Sequence, residues 1–456
     1  MISGLLAQIP TRAFTADEVL SPYIYVFYVA FLVSFMFTPV MRRVATYYGI
    51  IDEPDSRKMH SQPVAYLGGV AVFLGWLCAL ACSQFLSLHR TEPGLLPHPQ
   101  VKFSIVMGAT AIVLLGLYDD LYRLRPRIKI TGQIFAAVIL IVEGVGIRSL
   151  EPMLVPVGVR IQALLGPQVL HFLHLPLLPA PFFPDWFVVT TSSVLVICAV
   201  VGCCNATNLM DGLDGLCGGV TAIIAGGFLF LAVHLAMFGG GMNSNWDALR
   251  VILGLALLGA VLGFIPYNFN PASIFMGDAG SMFLGFSCAT LIILMAQEKG
   301  KWFLAAMVMF ALPVLDTALA FARRWVNGRP LFSPDKFHFH HQLVARGSSV
   351  RRTVITIYSI AIGFAMLGSA IVFVRTRYAV ALYLVIFGSI IVAAYKMGMV
   401  HERPRVVKRS SLDDMDEDDT LKAAQMVDGA SVLEIEDDRR HQTSGGLPGA
   451  GASPAV

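Results

Sequence analysis

Long apolar segments are the feature that most restricts how this chain can fold. We count eleven apolar stretches, several of them roughly 18–22 residues long, about the length that an α-helix needs to cross a bilayer. The chain is 56% hydrophobic and only 14% charged, a composition that soluble domains rarely have. The sequence therefore predicts an all-α polytopic integral membrane protein with about 11 transmembrane helices, at about residues 23–41, 64–88, 102–118, 130–149, 186–204, 216–237, 247–266, 280–297, 301–322, 353–374 and 378–395.

The distribution of Lys and Arg predicts the orientation of these segments. The chain reaches one side of the membrane at the end of each odd-numbered segment. That side carries 20 Lys and Arg up to residue 409, whereas the opposite side carries 10. Because cytoplasmic loops are enriched in positive residues, we expect the N-terminus outside and the C-terminus in the cytoplasm. The formal net charge of +3 gives no reason to expect a nucleic-acid partner.

Composition divides the chain into three regions. Residues 1–22 form a short outer segment that is mostly polar and does not resemble a cleavable signal peptide. Residues 23–396 form the transmembrane domain, and its connection 150–185, rich in Pro and Leu, is expected to be a hairpin or a helix lying on the membrane. The acidic tail, 397–456, is too polar to fold alone and is expected to be disordered. The seven cysteines lack CxxC spacing, so no disulfide or zinc site is predicted for them.

The polar islands between the apolar segments all fall on the predicted cytoplasmic side. Any membrane protein has polar loops there, but solvated loops do not need aspartates flanked by glycines. Ionisable groups near membrane depth are costly and usually functional, so we expect these islands to form one site. They are "DEPDSRKMH" (52–60), "YDDLYRLRPRIK" (118–129), "NATNLMDGLDG" (205–215), "NFNPASIFMGDAGS" (268–281) and "SPDKFHFHH" (333–341).

One island repeats amides and carboxylates at a spacing of three. Asn205, Asn208, Asp211 and Asp214 would share one polar face of a helix. Their oxygens suit a hard cation such as Mg²⁺, which typically takes one or two carboxylates together with substrate phosphates. A helix cap is the alternative role, but one cap needs one Asp.

Three further aspartates lie at the ends of apolar segments. Asp278 stands between glycines just before a segment, where helix amides could also face an anion. Asp119 and Asp120 are adjacent, and neighbouring side chains on a helix point about 100° apart. We therefore expect them to serve different roles, one of them structural through Arg123 or Arg127.

The histidine triplet His338, His340 and His341 lies in the most basic loop of the chain, beside Lys336. Imidazoles next to cations suit binding of a diphosphate. A zinc site or a structural role are the alternatives, although no cysteine or acidic pair stands at zinc-finger spacing. Carboxylates beside a cationic loop are what a metal-assisted phosphoryl transfer requires.

Five ordered motifs over about residues 50–350 resemble the polyprenyl-phosphate N-acetylhexosamine-1-phosphate transferases of glycosyltransferase family 4. Within that family, "RKMH" and "SPDKFHFHH" look like the branch that uses UDP-N-acetylglucosamine (UDP-GlcNAc). The long 150–185 connection and the acidic tail depart from the family pattern. The matching motifs are "DEPDSRKMHSQPVAYLGG", "GLYDDLYRLRPRIKITGQ", "NATNLMDGLDGLCGG", "IFMGDAGSMFLGF" and "PVLDTALAFARRWVNGRPLFSPDKFHFHHQL".

The resemblance implies a reaction in the bacterial plasma (inner) membrane, with the active site on the cytoplasmic face. Undecaprenyl phosphate would attack UDP-GlcNAc, which would give undecaprenyl-diphospho-GlcNAc and UMP in a cell-envelope glycan pathway. The enzyme would need Mg²⁺, for which Mn²⁺ could substitute, and it could be a homodimer in the bilayer.

The resemblance also implies roles for individual residues. Asp278 and Asn208 would hold Mg²⁺, Asp211 would lie near the nucleotide, and Asp214 would orient its segment. Asp119 and Asp120 would lie by the lipid phosphate. The remaining substrate-binding candidates are Lys58 and His60 on the uridine side, Asn205, and, for the diphosphate or sugar, Lys336, His338, His340 and His341.

Several alternatives stay open at this point. The mechanism could be one in-line displacement, which we favour, or two steps through an aspartyl phosphate. The donor could be another UDP-sugar, such as UDP-MurNAc-pentapeptide or a modified hexosamine. A nucleotide-sugar transporter would place its charges near the bilayer midplane, and a zinc-dependent membrane hydrolase would be inhibited by zinc chelators.

Overall fold

The computed structural model describes residues 14–53, 63–88, 101–172, 183–238, 245–328 and 338–396. Within these ranges the chain forms helices almost throughout, with one pair of short strands, β1 (Ile51–Asp52) and β2 (Val64–Ala65). The helices are α1 (Ala16–Leu20), α2 (Ile24–Tyr47), α3 (Gly68–Leu88), α4 (Phe103–Tyr122), α5 (Pro126–Val142), α6 (Glu151–Phe172), α7 (Asp185–Met210), α8 (Leu216–Phe238), α9 (Asn245–Asn268), α10 (Gly277–Ala296), α11 (Gly300–Met309), α12 (Ala311–Val326), α13 (Phe339–Ala345), α14 (Val350–Ile371) and α15 (Thr376–Lys396).

The apolar helices make this a multi-pass membrane protein. Among the described residues, eight helices are long and apolar enough to cross a bilayer, namely α2, α3, α4, α7, α8, α9, α10 and α14. The pair α11 and α12 would be a ninth span, bent by 71° between the two helices. Each of the eleven predicted segments coincides with a helix or with this bent pair. Two of the predicted segments correspond to helices that are not long and apolar enough to count among the eight. These are α5, with 17 residues, and α15.

The connection 150–185 contains a helix, α6, where the sequence left a hairpin or a helix open. The predicted tail, 397–456, lies outside the described residues. The predicted outer segment, 1–22, is described only from residue 14, where Thr15 and Glu18 form a capping box at the start of α1.

The helix α10 lies at the centre of the bundle and is buried along its whole apolar length. It packs against α3, α4 and α7. A Cβ atom added at Gly116 of α4 would lie 2.4 Å from the Cα atom of Ala279, so the two helix backbones touch there. Small residues at such crossings are typical of helix packing in membranes.

A buried arginine binds the end of α10 that lies far from the polar islands. Arg250 of α9 is fully buried, and its guanidinium donates twice to the carbonyl oxygen of Leu294, at 3.0 and 2.9 Å. Its charge is balanced by Asp247 at 2.6 Å and Glu298 at 2.9 Å. A cation at a helix C-terminus also complements the helix dipole.

The two short strands hold the chain that leads into α10. Strands β1 and β2 pair antiparallel, with Ile51 opposite Ala65. The amide of Phe275 donates to the carbonyl of Ala65 at 2.8 Å, and the amide of Gly68 donates back to Phe275 at 3.0 Å. The strands therefore fix the backbone just before Asp278.

Candidate active site

The described polar islands meet at one end of the helix bundle. The C-terminal ends of α4 and α7 and the N-terminal ends of α5 and α10 come together there, and their side chains form direct contacts. Asp278 is the meeting point: Asn208 of α7 donates to its Oδ1 at 2.7 Å, and Lys129 of α5 donates to its Oδ2 at 2.7 Å. The side chain of Asp278 is 31% exposed, so the cluster is open to a ligand.

The adjacent carboxylates of α4 have different partners, as expected from their directions. Asp120 accepts from the backbone amides of Asp278 and Ala279, at 2.7 and 3.2 Å, and so caps the N-terminus of α10. Gly277 has φ +71°, and a Cβ atom there would lie 2.6 Å from Oδ2 of Asp120. A glycine is therefore required where the chain turns into α10.

Asp119 is buried and forms the other half of this corner. Its Oδ1 accepts from the amide of Leu124 at 2.6 Å, and its Oδ2 forms an ion pair with Lys129. Lys129, rather than Arg123 or Arg127, is thus its partner among the residues that the structure describes. One ammonium group bridges Asp119 and Asp278, which come from different helices.

The two amides of α7 have separate uses. Asn208 turns toward Asp278 and also donates to Oγ of Ser281 at 3.0 Å. Asn205 donates to Oε1 of Gln133 at 2.7 Å and to the carbonyl of Val201 at 2.7 Å. The amide of Asn205 therefore joins α7 to the buried Gln133 of α5, beneath the acidic cluster.

Asp214 organises the loop between α7 and α8. Its Oδ2 accepts from Nδ2 of Asn270 at 2.9 Å and from the amide of Ala272 at 3.0 Å. These contacts tie the loop 211–215 to the segment that leads from α9 to α10. The position of Asp211 thus depends on Asp214.

Two further side chains bind the backbone of the same loop. The amide of Gly215 donates to Oδ1 of Asn268 at 3.1 Å, and the hydroxyl of Tyr358 donates to the carbonyl of Gly215. Asn268 is buried and belongs to α9, whereas Tyr358 belongs to α14. Both backbone groups of this glycine are therefore satisfied by side chains.

Asp211 lies at the end of α7 in a strongly acidic environment. Burial, followed by the charges of Asp278, Asp120 and Asp214, raises the pKa of Asp211 to about 8. Like charges in a desolvated site favour the protonated form unless a cation is present. A bound cation would relieve this crowding of carboxylates.

A tyrosine hydroxyl lies within electrostatic reach of the same carboxylates. Burial is the main factor that raises the pKa of Tyr66, and Asp52, Asp120, Asp211 and Asp278 raise it further. The phenol therefore stays protonated at neutral pH and can donate a hydrogen bond at the mouth of the site. Tyr66 follows strand β2, which places it beside the start of α10.

The histidine segment is anchored by an acidic residue of α12. The carboxylate of Asp316 accepts from Nδ1 of His338 at 3.0 Å and from the amide of Phe339 at 2.9 Å. Because an ionised carboxylate only accepts, His338 carries a proton on Nδ1, and in the neutral form of the ring Nε2 is then the acceptor. This bond to Asp316 sets both the tautomer and the direction of the imidazole ring.

His340 is the most buried of the three histidines, at 2% exposure. Burial, followed by the neighbouring His341 and His338, lowers the pKa of His340 to about 3, so the ring is neutral. Its Nε2 finds no hydrogen-bond partner within the described ranges and lies against Gly212, where a Cβ atom would be 2.4 Å away. The histidine segment therefore packs directly on the loop that carries Asp211.

Three predicted substrate-binding residues, Lys58, His60 and Lys336, lie outside the described residues. Conversely, sequence reasoning did not single out Lys129, Asp316 or Tyr358 as site residues. Asp316 could have been noticed, because an ionisable residue inside an apolar segment is usually functional. The signal for Lys129 was its position inside a matching motif.

The site fits a divalent metal that is shared with a phosphate ligand. Within the described ranges, no three His, Cys, Asp or Glu side chains are placed to form a metal cage. Mg²⁺ rarely uses such cages and usually takes one or two carboxylates plus phosphate oxygens and waters. The partly exposed Asp278, with Asn208 beside it and Asp211 near it, supplies that donor chemistry.

The sequence of this chain matches that of a known protein family. Residues 102–296 match the sequence profile of Glycosyl transferase family 4. These residues include the carboxylates of α4, the island 205–215 and Asp278.

Individual relatives match a larger part of the chain than the family profile does. A Bacillus subtilis (strain 168) protein named "Probable undecaprenyl-phosphate N-acetylglucosaminyl 1-phosphate transferase" is 33% identical over 86% of this chain and 99% of its own length. The Mycobacterium tuberculosis (strain ATCC 25618 / H37Rv) "Decaprenyl-phosphate N-acetylglucosaminephosphotransferase" is 33% identical over 80% of this chain and 85% of its own. A Bacillus thuringiensis (strain Al Hakam) "Phospho-N-acetylmuramoyl-pentapeptide-transferase" is 28% identical over 75% and 94%. The chain therefore belongs to glycosyl transferase family 4, within its N-acetylglucosamine phosphotransferase branch.

Proposed function

We propose that the protein transfers GlcNAc-1-phosphate from UDP-GlcNAc to undecaprenyl phosphate, which gives undecaprenyl-diphospho-GlcNAc and UMP. The observation that carries the proposal is the acidic cluster around Asp278, at one end of a bundle of apolar helices. A lipid phosphate and a water-soluble diphosphate can meet only where a bilayer ends. The names of the two relatives at 33% identity favour GlcNAc as the sugar.

The proposal includes a topology. We place the protein in the bacterial inner membrane with eleven spans, the N-terminus outside and the active site on the cytoplasmic face. The excess of Lys and Arg on the side of the site supports this orientation. The spans beyond the eight long helices would be the bent pair α11 and α12, the shorter α5, and α15.

The phosphate acceptor needs little activation. A phosphate monoester has a second pKa of about 6, so at neutral pH the lipid phosphate is mostly a dianion and a competent nucleophile. We therefore favour a single in-line displacement over a covalent aspartyl phosphate. Inversion at a chiral phosphorus atom of the donor is what a single displacement produces, whereas retention would establish the two-step route.

Each described side chain then has a role that fits its contacts. Asp278 and Asn208 would hold Mg²⁺, or Mn²⁺ in its place, and the bound ion would neutralise charge on the diphosphate. Asp119 would lie by the lipid phosphate and hold Lys129 there, while Asp120 holds the N-terminus of α10. His338 would offer Nε2 as an acceptor to a donor hydroxyl.

The loop residues and the remaining histidines complete the proposed site. Asp211 would lie near the nucleotide, with Asp214 fixing its loop. His341 could bind the diphosphate or sugar directly, whereas the neutral, buried His340 would support the Asp211 loop by packing.

The first test is UMP release by the purified protein in detergent. With undecaprenyl phosphate, UDP-GlcNAc and Mg²⁺ we expect UMP, and we expect none without the lipid or with excess EDTA. Mn²⁺ should restore the reaction after EDTA. Release only with UDP-MurNAc-pentapeptide would keep the chemistry and change the sugar, as the third relative would suggest. No UMP with any UDP-sugar from folded protein would contradict the proposal.

A second test concerns the pair of Asp316 and His338. In Asp316→Asn, the amide oxygen can still accept from Phe339, but the amide nitrogen now donates to Nδ1 and moves the ring proton to Nε2. We expect UMP release to fall by about 10²-fold or more, since an inverted tautomer is costly in comparable carboxylate–histidine pairs. The melting temperature should change little.

The pH profile identifies the cause of this loss. Asp316→Glu keeps a carboxylate and should recover part of the activity with the wild-type pH dependence. If Asp316→Asn retained wild-type turnover, the orientation of His338 by Asp316 would have no part in the reaction.

A further inference from the structure

Lys129 places an ammonium group between two carboxylates of the acidic cluster. Its ammonium group contacts Asp119 and, at 2.7 Å, Oδ2 of Asp278. The other oxygen of Asp278 is engaged by Asn208. The protein therefore supplies one cation of its own to the carboxylate that we assign to the metal.

A bound metal ion and the ammonium group of Lys129 would both contact the carboxylate of Asp278. Two cations a few ångströms apart repel each other strongly, even where water partly screens the interaction. The lysine side chain is 22% exposed and unbranched, so it has room to leave Asp278 without unfolding its helix. Binding of the metal should therefore require that Lys129 withdraw from Asp278.

The withdrawn ammonium has a new anion available in the loaded site. The metal arrives with phosphate groups, and Lys129 lies at the start of α5, at the same end of the bundle as the loop of Asp211. An ammonium released from Asp278 can then donate to a phosphate oxygen as a point charge.

We propose that Lys129 is a built-in counter-ion that balances Asp119 and Asp278 in the empty enzyme and moves to phosphate when the metal binds. The first half of this inference rests on the observed ion pairs alone, and the second half rests on the proposed function. Such an exchange disfavours metal without phosphate, and it disfavours phosphate without metal. Lys129 would thus couple the two binding events.

The test is Mn²⁺ binding to the full-length protein in detergent, without lipid or nucleotide, measured from the free Mn²⁺ signal by electron paramagnetic resonance. We expect Lys129→Met to bind Mn²⁺ about tenfold or more tightly than the wild type, because a competing cation has been removed. Lys129→Arg keeps the charge and should bind like the wild type. Arg127→Met removes the same charge from an exposed site two residues earlier and should leave the affinity within about twofold.

Thermal stability gives a second readout. In EDTA, Lys129→Met should melt below the wild type, since two carboxylates lose their partner. Added Mn²⁺ should raise its melting temperature more than it raises that of the wild type. If Lys129→Met does not purify as a monodisperse protein, Lys129→Gln serves for the same comparison.

The outcomes separate this inference from the proposed function. Unchanged or weaker Mn²⁺ binding by the neutral variants, or no binding by any protein, would overturn the counter-ion role even if the wild type releases UMP. Tighter binding by the neutral variants would support it even if no UMP were formed. In an active enzyme, the phosphate contact predicts that Lys129→Met also raises the KM for UDP-GlcNAc or for the lipid.

Discussion

Replacement of Asp278 by Asn should reduce UMP release by about a thousandfold while the protein still inserts and folds. The substitution removes the charge that we assign to the metal, and groups that stabilise developing charge are typically worth about 10²–10³ in rate. The fold should persist because Asp120 caps α10 through the backbone amide of residue 278, which the substitution keeps.

The measurement is UMP release at saturating lipid, beside size-exclusion chromatography and the melting temperature. Asp185→Asn is the matched control, because Asp185 starts α7 at the opposite end and its side chain is 77% exposed. The control should keep wild-type turnover. An Asp278→Asn protein with more than about a tenth of wild-type activity would remove Asp278 from the metal site.

Asp211→Asn should separate activity from stability. We expect turnover to fall by about a hundredfold or more, since a charged oxygen near the nucleotide is lost. In EDTA, however, the variant should be more stable than the wild type. Burial and the surrounding carboxylates raise the pKa of Asp211 to about 8, so the folded state resists ionisation of this group.

The sign of this effect fixes its pH dependence. A raised folded-state pKa means that the wild type loses stability as the pH rises from about 4 toward about 8, while the neutral variant does not. The melting-temperature advantage of Asp211→Asn should therefore be larger at about pH 8.5 than at about pH 5. An advantage that stays constant with pH, or an active variant, would contradict this account.

The sequence predicted the structure best in the long apolar segments, where burial of apolar side chains determines the fold. Long apolar segments have few alternatives to a membrane helix, and all eleven coincide with helices or with the bent pair. The break between α11 and α12 was not foreseen, because hydropathy averages over a window and does not register a 71° bend. The same averaging predicted a segment of full membrane-spanning length at 130–149, whereas the helix α5 has 17 residues.

Within the site, the sequence indicated which residues are polar but not which of them meet. The spacing of three suggested one polar face for Asn205, Asn208, Asp211 and Asp214. The structure divides this set, because α7 ends at Met210 and its last turns contact different helices. Asn205 binds Gln133 of α5, while Asn208 binds Asp278 of α10. Such partners are separated by more than 60 residues along the chain, and no local pattern encodes them.

The helix α10 is secured at both ends by side chains from other helices. Asp120 holds its first amides, and Arg250 holds the carbonyl of Leu294 near its last turn. These contacts at both ends oppose a shift of α10 along its axis. Its 20 residues span roughly 30 Å, about the thickness of the hydrocarbon core of a bilayer. In the orientation proposed above, with Arg250 near one surface of that core, Asp278 would lie near the other, at the depth of the phosphate of a lipid headgroup.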